Sequence, residues 1–270
     1  MKSLSRNSAA RFTSHERELL IVTYHAIEGP SSPVCCPPAQ LDADLAALID
    51  AGFTFVSLDE CADWLAGTRS LPARSIAVTF DDAYASVVLN ALPVLTRRRV
   101  PATIFVIGDR VGGDNQWPGQ WKSIPSMPLA SVGQLKAAIA AGVTIGSHSW
   151  SHAMLTRLGP DALRSELEES AARLEQMFGV SIHHFAYPYG VRGPREVAAA
   201  RLRYRTAVNT EARAVEPECD PLDVWRIDCH DLRFALRMRL TDDATLQPYL
   251  ALRRTVRGAR RRLESILDMR

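Results

Sequence analysis

Short runs of apolar residues alternate along most of the chain with longer segments whose apolar residues recur at helical spacing. The apolar runs predict strands at 19–24, 53–58, 75–80, 102–107, 143–147, 182–187, 206–208 and 224–228. The amphipathic segments predict helices at 38–50, 59–65, 86–98, 131–141 and 160–178. One more helix is predicted between the strands at 182–187 and 206–208. Buried strands that alternate with helices are typical of a parallel sheet, and this many units favours closure into a barrel.

The remaining segments indicate one domain with two extensions. We expect a polar tail over 1–18, the barrel over 19–240 and a basic amphipathic helix over 241–270. A length of 270 residues fits one large α/β domain. Residues 112–129 form a long loop rich in Gly, Pro and Trp that has no strand or helix period, and such loops are often functional.

Composition and charge argue against several classes of protein. With 47% hydrophobic and 23% charged residues, the chain has the composition of an ordinary globular domain. A net charge of +2 does not indicate a nucleic-acid-binding protein. No apolar run approaches the roughly 18–20 residues of a membrane span, and the N-terminus lacks the apolar core of a secretory signal. Five cysteines without a disulfide or zinc pattern are typical of reduced thiols, so we expect a cytoplasmic protein.

Two clusters of polar side chains follow directly after predicted strands. Asp81 and Asp82 follow the third strand, and His148 and His152 follow the fifth. Two adjacent carboxylates resist joint ionisation, and a divalent metal removes that cost by binding one while the other acts as a base. Alone, the aspartates suit a helix N-cap and the histidines a helix surface. Together, at the carboxyl ends of strands, they favour a hydrolase metal site with open positions for water and substrate.

Three motifs in this order resemble the polysaccharide deacetylase family, the carbohydrate esterases built around the NodB homology domain. The motifs are Thr79-Phe-Asp-Asp82, His148-Ser-Trp-Ser-His152 and Phe185-Ala-Tyr-Pro-Tyr-Gly190, and Pro101-Ala-Thr-Ile-Phe105 also matches. The resemblance extends over 19–228 and implies a single-domain α/β fold, a distorted (β/α) barrel of about seven strands. It also implies metal-dependent removal of N-acetyl groups from amino sugars.

The resemblance implies roles for individual residues. Asp81 resembles the general base that deprotonates the attacking water, and Tyr189 lies where the family uses a backbone N–H to stabilise the oxyanion. Asp82, His148 and His152 resemble the metal-binding triad. These mixed nitrogen and oxygen donors suit Zn²⁺ and also accept Co²⁺ or Ni²⁺, so we expect one divalent ion, with Zn²⁺ preferred.

The chain departs from the common family pattern in three places. Ala83 replaces the glycine that usually follows the aspartates, a mild change unless the position requires a positive φ. Ala186 stands where an arginine often orients the base; Arg226 is the candidate substitute, with a surface salt bridge as the alternative. The late Leu-x-His motif that usually supplies the general acid is not evident.

A permuted branch of the family, resembling the biofilm poly-N-acetylglucosamine deacetylases, suggests where the general acid lies. In that branch the acid histidine is on the first strand, and Val22-Thr-Tyr-His25 matches this arrangement. We therefore predict His25 as the general acid. His230, after the last predicted strand, is the competing candidate.

Two further features bear on the substrate and on cellular contacts. Trp150, Tyr187, Trp117 and Trp121 are candidates for stacking on sugar rings, with core packing as the alternative for each. Stacking is favoured over core packing only for the loop pair, Trp117 and Trp121. The arginine-rich C-terminal helix suits peripheral contact with an anionic membrane. A helix packed on the barrel with its arginines in water is an equal alternative.

The sequence thus favours a cytoplasmic enzyme, membrane-associated if the C-terminal helix binds lipid. Its substrate would be an N-acetylated amino sugar in a glycan, a glycolipid, or a lipid-linked or nucleotide-linked intermediate, and its products acetate and a free amine. Two alternatives stay open. One is another C–N hydrolase on the same scaffold, a deformylase or a cyclic imidase. The other is a non-catalytic glycan-binding barrel, which the substitution at Ala186 leaves open.

Overall fold

A parallel sheet forms the centre of the fold. The computed structural model describes residues 19–29 and 32–267, so the predicted tail at 1–18 lies outside the described residues. The strands are β1 (Leu19–Tyr24), β2 (Thr54–Phe55), β3 (Ser75–Phe80), β4 (Ala102–Val106), β5 (Thr144–Ser147), β6 (His184–Ala186), β7 (Thr206–Val208) and β8 (Ile227–Asp228). Their order is β7-β6-β5-β4-β3-β1-β8, with β2 paired to β3. These ladders are parallel, which confirms the predicted α/β fold.

Helices connect most of the strands. They are α1 (Pro38–Asp50), α2 (Leu58–Leu65), α3 (Leu92–Arg98), α4 (Val132–Ala140), α5 (Pro160–Arg164), α6 (Ser170–Phe178), α7 (Pro194–Arg201), α8 (Cys229–Arg237) and α9 (Asp243–Leu267). Two predicted helices contain a π-helical turn, Val87–Ala91 before α3 and Ser165–Glu169 between α5 and α6. Ser57 caps α2 through a reciprocal capping box with Glu60, so the helix begins at Leu58 and the strand predicted at 53–58 is shorter.

The central strands are apolar on both faces because both faces are covered. All residues of β1, β3 and β4 are buried. Leu20 and Val22 of β1 belong to a large apolar cluster that includes Leu41 of α1. Leu19 and Ile21 point to the opposite face, into a second cluster among the strands. This double burial explains why the strands are continuous apolar runs rather than alternating ones.

Residues 224–228, which include β8, contact β7 at one end of the sheet and β1 near the other end. Val224 forms a parallel bridge with Val208 of β7, while Ile227 pairs with Val22 of β1. The chain therefore passes from β7 to β1 over three residues, and the sheet curls into the distorted barrel that was predicted. Arg226 lies in the middle of this passage.

The C-terminal helix is present and its first turns pack on the domain. Leu246 and Leu250 of α9 are buried, and Arg253 forms an ion pair with Asp231 of α8 at 2.6 Å. Leu252 is 61% exposed. Among the described residues no helix has both the length and the apolar character required to span a bilayer. Peripheral membrane contact stays a prediction.

The turn after β3 has an unusual backbone. Asp82 has φ +67° and Ala83 has φ +58°, so both occupy the left-handed region although neither is glycine. The position of Ala83 therefore does require a positive φ. Having alanine there instead of the family's glycine lowers the stability of the fold by about 1–2 kcal/mol.

Replacing Ala83 by glycine tests this backbone cost. The change relieves the left-handed strain but removes a buried methyl group worth about 0.8 kcal/mol, so stability should stay equal or rise slightly. Ala85→Gly is the matched control, because Ala85 is also buried but lies in helical backbone, where glycine costs about 0.5–1 kcal/mol beyond the lost methyl. Urea unfolding of both variants checks the prediction. A loss of stability at Ala83→Gly as large as that at Ala85→Gly would contradict it.

Candidate active site

Three ligand-type side chains meet at the carboxyl ends of β3 and β5. The Nε2 atoms of His148 and His152 lie 3.4 Å and 3.5 Å from Oδ1 of Asp82. One ligand atom from each of the three residues falls within 4.8 Å of the others. All three side chains are buried. The arrangement offers one carboxylate oxygen and two imidazole nitrogens to a single point.

The donor set fits a divalent transition metal. Asp82 Oδ1 is buried and accepts no hydrogen bond, which is costly for a carboxylate unless a cation completes it. Burial lowers the pKa of His152 to about 3, so this ring is neutral, as a metal ligand must be. Burial also opposes the charged form of His148, but Asp82 and Asp81 outweigh it and raise the pKa of His148. Metal binding would therefore displace a proton from His148 wherever that ring is protonated.

A backbone carbonyl orients the first histidine. Nδ1 of His148 lies 2.7 Å from the carbonyl oxygen of Ala186. A carbonyl can only accept, so Nδ1 carries a proton, and in the neutral ring the Nε2 lone pair faces Asp82 and His152. Such outer contacts are typical of metal-ligating histidines. In the sequence, Ala186 was notable only because the family often has an arginine at this position. In the structure, its backbone carbonyl orients His148.

Asp81 is held by a buried arginine from the other end of the chain. Arg226 donates to both carboxylate oxygens of Asp81 at 2.7 Å each. Arg226 is 0% exposed, so the surface salt bridge considered as its alternative is wrong. Burial by itself would raise the pKa of Asp81, but the charge of Arg226 outweighs it, and the pKa lies well below its ordinary value. Asp81 therefore stays ionised although it is enclosed.

Three further groups, which sequence reasoning missed, complete the surroundings of Arg226. Nε donates to the carbonyl oxygen of Asn209 at 3.0 Å, and NH1 also donates to the hydroxyls of Thr23 and Thr79 at 3.2 Å and 3.1 Å. Because Thr79 belongs to the aspartate motif, the sequence could have indicated that it lies near Arg226. The contact with the Asn209 carbonyl could not be predicted, because every residue has a backbone carbonyl.

The two acid candidates lie in different surroundings. His25 directly follows β1, and the Asp81 N–H donates to the carbonyl oxygen of Tyr24, the residue before His25, at 2.9 Å. Burial raises the pKa of Asp81 and of Asp82, and His25 is one of several groups that lower it. His230 is exposed at the start of α8, where its Nε2 lies 3.0 Å from the carbonyl oxygen of Pro33. His25 thus follows a strand that is hydrogen-bonded to the aspartate segment, whereas His230 begins a helix.

Tyr189 and the long loop enclose the second histidine. Tyr189 lies in the short turn after β6 with φ +59°, and its ring centroid is 4.5 Å from that of His152. Trp117 packs on another side of His152 at 4.4 Å. The same loop approaches the Tyr189 hydroxyl at Gly119. The loop thus forms one wall of the site.

Two of the four predicted sugar-stacking residues, Tyr187 and Trp117, are buried in the core. Tyr187 is 0% exposed and donates its hydroxyl to the carbonyl of Leu222 at 2.7 Å, so it has no ring face for a sugar. Trp117 is 5% exposed, so core packing holds for it as well. Trp150 is half-buried: it packs against Gly108, and the guanidinium of Arg173 lies 4.4 Å from its ring centroid. Trp121, 52% exposed, keeps surface for a ligand.

Comparison with known proteins places this geometry in a family. Residues 68–207 match the family model described as polysaccharide deacetylase. The chain is 27% identical over 203 residues to YxkH of Bacillus subtilis, covering 75% of this chain and 68% of YxkH. It is also 27% identical over 175 residues to the poly-β-1,6-N-acetyl-D-glucosamine N-deacetylase of Staphylococcus aureus, covering 60% of this chain and 57% of that protein.

A solved structure agrees with these sequence matches. IcaB from Ammonifex degensii superposes with a TM-score of 0.71 at 27% identity, covering 82% of this chain and 96% of that one. The family model spans more than half of the chain and includes Asp81, Asp82, His148, His152 and Tyr189. The chain belongs to the polysaccharide deacetylase family.

Proposed function

We propose that this protein is a metal-dependent N-deacetylase of an amino sugar in a glycan, releasing acetate and a free amine. The observation that carries the proposal is the buried Asp82 oxygen, which accepts no hydrogen bond and faces two imidazole nitrogens, next to a separate carboxylate kept ionised by Arg226. One carboxylate is thereby available as a ligand and the other as a base. Metal-assisted hydrolysis of an amide uses both.

Each step of the hydrolysis has a candidate group in the chain. A divalent ion held by Asp82, His148 and His152 would supply Lewis-acid chemistry to the acetyl carbonyl and to water. Asp81 takes the proton from the attacking water, because Arg226 keeps its carboxylate ionised and oriented. The Tyr189 N–H donates to the developing oxyanion, a contact worth about 3–4 kcal/mol.

Departure of the amine needs an acid. An amide nitrogen cannot leave as an anion, so a proton must reach it as the C–N bond breaks. We assign this step to His25, which directly follows β1, the strand that pairs with β3. His230 is the weaker candidate because its ring is engaged by the Pro33 carbonyl.

The substrate class rests on the relatives. The Staphylococcus aureus protein is named for β-1,6-linked poly-N-acetylglucosamine, and the chain resembles it over 60% of its own length. We therefore propose an oligomer or polymer of N-acetylglucosamine as the first substrate to test. Trp121, on the loop beside the site and 52% exposed, is the candidate for contact with sugar rings.

A substrate panel tests the function directly. Acetate release should occur from N-acetylglucosamine oligomers and should stop when a chelator is added. Turnover of N-formyl or cyclic imide compounds, without acetate release from any acetylated sugar, would favour another C–N hydrolase. Binding of the oligomers without turnover by metal-loaded protein would favour a glycan-binding barrel.

Removing one histidine ligand should remove the metal. His152→Ala deletes one of three ligands, so metal content after dialysis and acetate release should both fall to background. His183→Ala is the control, since His183 is an exposed histidine outside the site. Elemental analysis beside the activity assay checks this. Full activity in metal-free protein would rule out the proposed chemistry.

The two aspartates should differ in what their loss removes. Asp81→Asn should keep the metal and lose about 10²–10⁴ in rate, because the base is gone while the ligands remain. Asp82→Asn should weaken metal binding itself, because a neutral amide replaces a charged ligand. Metal content, rate and thermal unfolding of both variants check this. Metal lost from Asp81→Asn but kept by Asp82→Asn would mean that the roles are reversed.

The general acid can be identified by changing the leaving group. His25→Ala should lower amide hydrolysis by about 10²–10⁴, because the amine no longer receives its proton. Hydrolysis of 4-nitrophenyl acetate should change far less, because nitrophenolate leaves without protonation. His230→Ala is the matched control and should leave both rates close to wild type. Equal losses on amide and ester, or a selective amide loss in His230→Ala, would contradict the assignment to His25.

A further inference from the structure

The loop between the two metal-ligand histidines is held in an unfavourable conformation. Ser149 has φ +65° and His152 has φ +60°, and neither is glycine. Each such residue costs about 1–2 kcal/mol and persists only where neighbouring groups hold it. One local contact helps: the His152 N–H donates to the Ser149 hydroxyl at 3.0 Å. It does not engage the two residues between Ser149 and His152.

Glu166 binds the middle of this loop with both carboxylate oxygens. Its Oε2 accepts from the backbone N–H groups of Trp150 and Ser151 at 2.8 Å and 2.9 Å. Its Oε1 accepts from the Ser151 hydroxyl at 2.6 Å. Hydrogen bonds to an ionised acceptor are stronger than neutral ones, and three converge here. Glu166 therefore fixes the segment that separates the two histidines.

The other side of the loop is fixed by the turn after β4. The Gly108 N–H donates to the carbonyl of Ser149 at 3.1 Å, and the Asp109 N–H donates to the carbonyl of Trp150 at 2.9 Å. The carbonyls of the loop are thus bound by this turn, while its N–H groups are bound by Glu166. Removing Glu166 would free one of the two sides.

Glu166 is itself on a firmly anchored part of the structure. It lies in the π-helical turn Ser165–Glu169, a type of distortion frequent at functional sites. In the same turn the Leu167 carbonyl accepts from the buried Tyr204 hydroxyl at 2.6 Å. Just beyond it, Ser170 hydrogen-bonds Ser147 of β5, the residue before His148, at 2.9 Å. The helix and the strand that delivers His148 are therefore coupled.

We propose that Glu166 is a positioning residue for the metal centre, setting the place of His152 relative to His148. The proposal rests on the metal site of the proposed function. Glu166 touches neither the metal ligands' side chains nor Asp81 by any described hydrogen bond, so it acts through the loop backbone.

Metal affinity is the property that should change. Glu166→Ala removes all three acceptors, so the Zn²⁺ dissociation constant, measured by competition with a chromophoric chelator, should rise about 10–100-fold, as is typical for loss of an outer-shell contact. Glu166→Gln should stay close to wild type. Its carbonyl oxygen can accept from both N–H groups while its amide donates to the Ser151 hydroxyl, which can accept instead.

Glu169→Ala is the matched control. Glu169 belongs to the same π-helical turn and carries the same charge, but its side chain is half exposed and forms an ion pair with Arg173 at 3.3 Å. An exposed ion pair of this kind contributes little, so Zn²⁺ affinity should not change. Equal weakening in Glu166→Ala and Glu169→Ala would attribute the effect to charge alone and overturn the proposal.

The metal-free proteins separate positioning from a general effect on folding. Thermal unfolding of each variant without metal gives the fraction folded, and the dissociation constant is taken at temperatures where that fraction is complete. If Glu166→Ala does not fold, Ser151→Ala, which removes one of the three hydrogen bonds, should still weaken Zn²⁺ binding, by a smaller factor. If Glu166→Ala folds and binds Zn²⁺ with wild-type affinity, the proposal is overturned. If Glu166→Ala does not fold, wild-type Zn²⁺ affinity in Ser151→Ala overturns it. Absence of divalent metal binding by the wild type would instead overturn the metal site on which it rests.

Discussion

The buried ion pair between Arg226 and Asp81 is the interaction on which the site depends. Both groups are removed from water, and each needs the other because an unpaired buried charge costs about 3–5 kcal/mol. The guanidinium bonds Asp81 on one side and Asn209, Thr23 and Thr79 on the others. Strands β1, β3 and β7 must therefore end close to one point. The segment that carries Arg226 is also the one that connects β7 to β1, so barrel closure and the orientation of the Asp81 carboxylate are a single arrangement.

The same pair allows two neighbouring carboxylates to have different chemistry. Asp81 still follows the strand and faces Arg226, whereas Asp82 lies in a left-handed turn and faces the histidines. Each carboxylate is balanced by its own partners, so both have a lowered pKa despite burial. A continuous strand would send their side chains to opposite faces of the sheet. The turn at Asp82 brings both side chains to the same end of the barrel.

Backbone strain is concentrated where the chemistry is proposed. Among the described residues, five of the eight non-glycine residues with positive φ surround the site. These five are Asp82, Ala83, Ser149, His152 and Tyr189. Strained residues persist when the surrounding structure determines them, as Glu166 does for the histidine loop. The short, buried strands beneath supply the rigid support that such turns need.

The sequence by itself determined the parallel barrel, the strand ends that carry Asp81, Asp82, His148 and His152, and the family. Apolar runs and short motifs are local, so they are readable without the fold. Only the tertiary structure decided that Arg226 is buried against Asp81, since the two lie 145 positions apart and meet through barrel closure. It also decided that Tyr187 belongs to the core and that the Ala186 carbonyl orients His148. The presence of an aromatic residue in the sequence does not show whether its ring will be buried. A backbone carbonyl is common to every residue, so the sequence does not show which carbonyl will bind a histidine. Such contacts exist only once distant strands have come together.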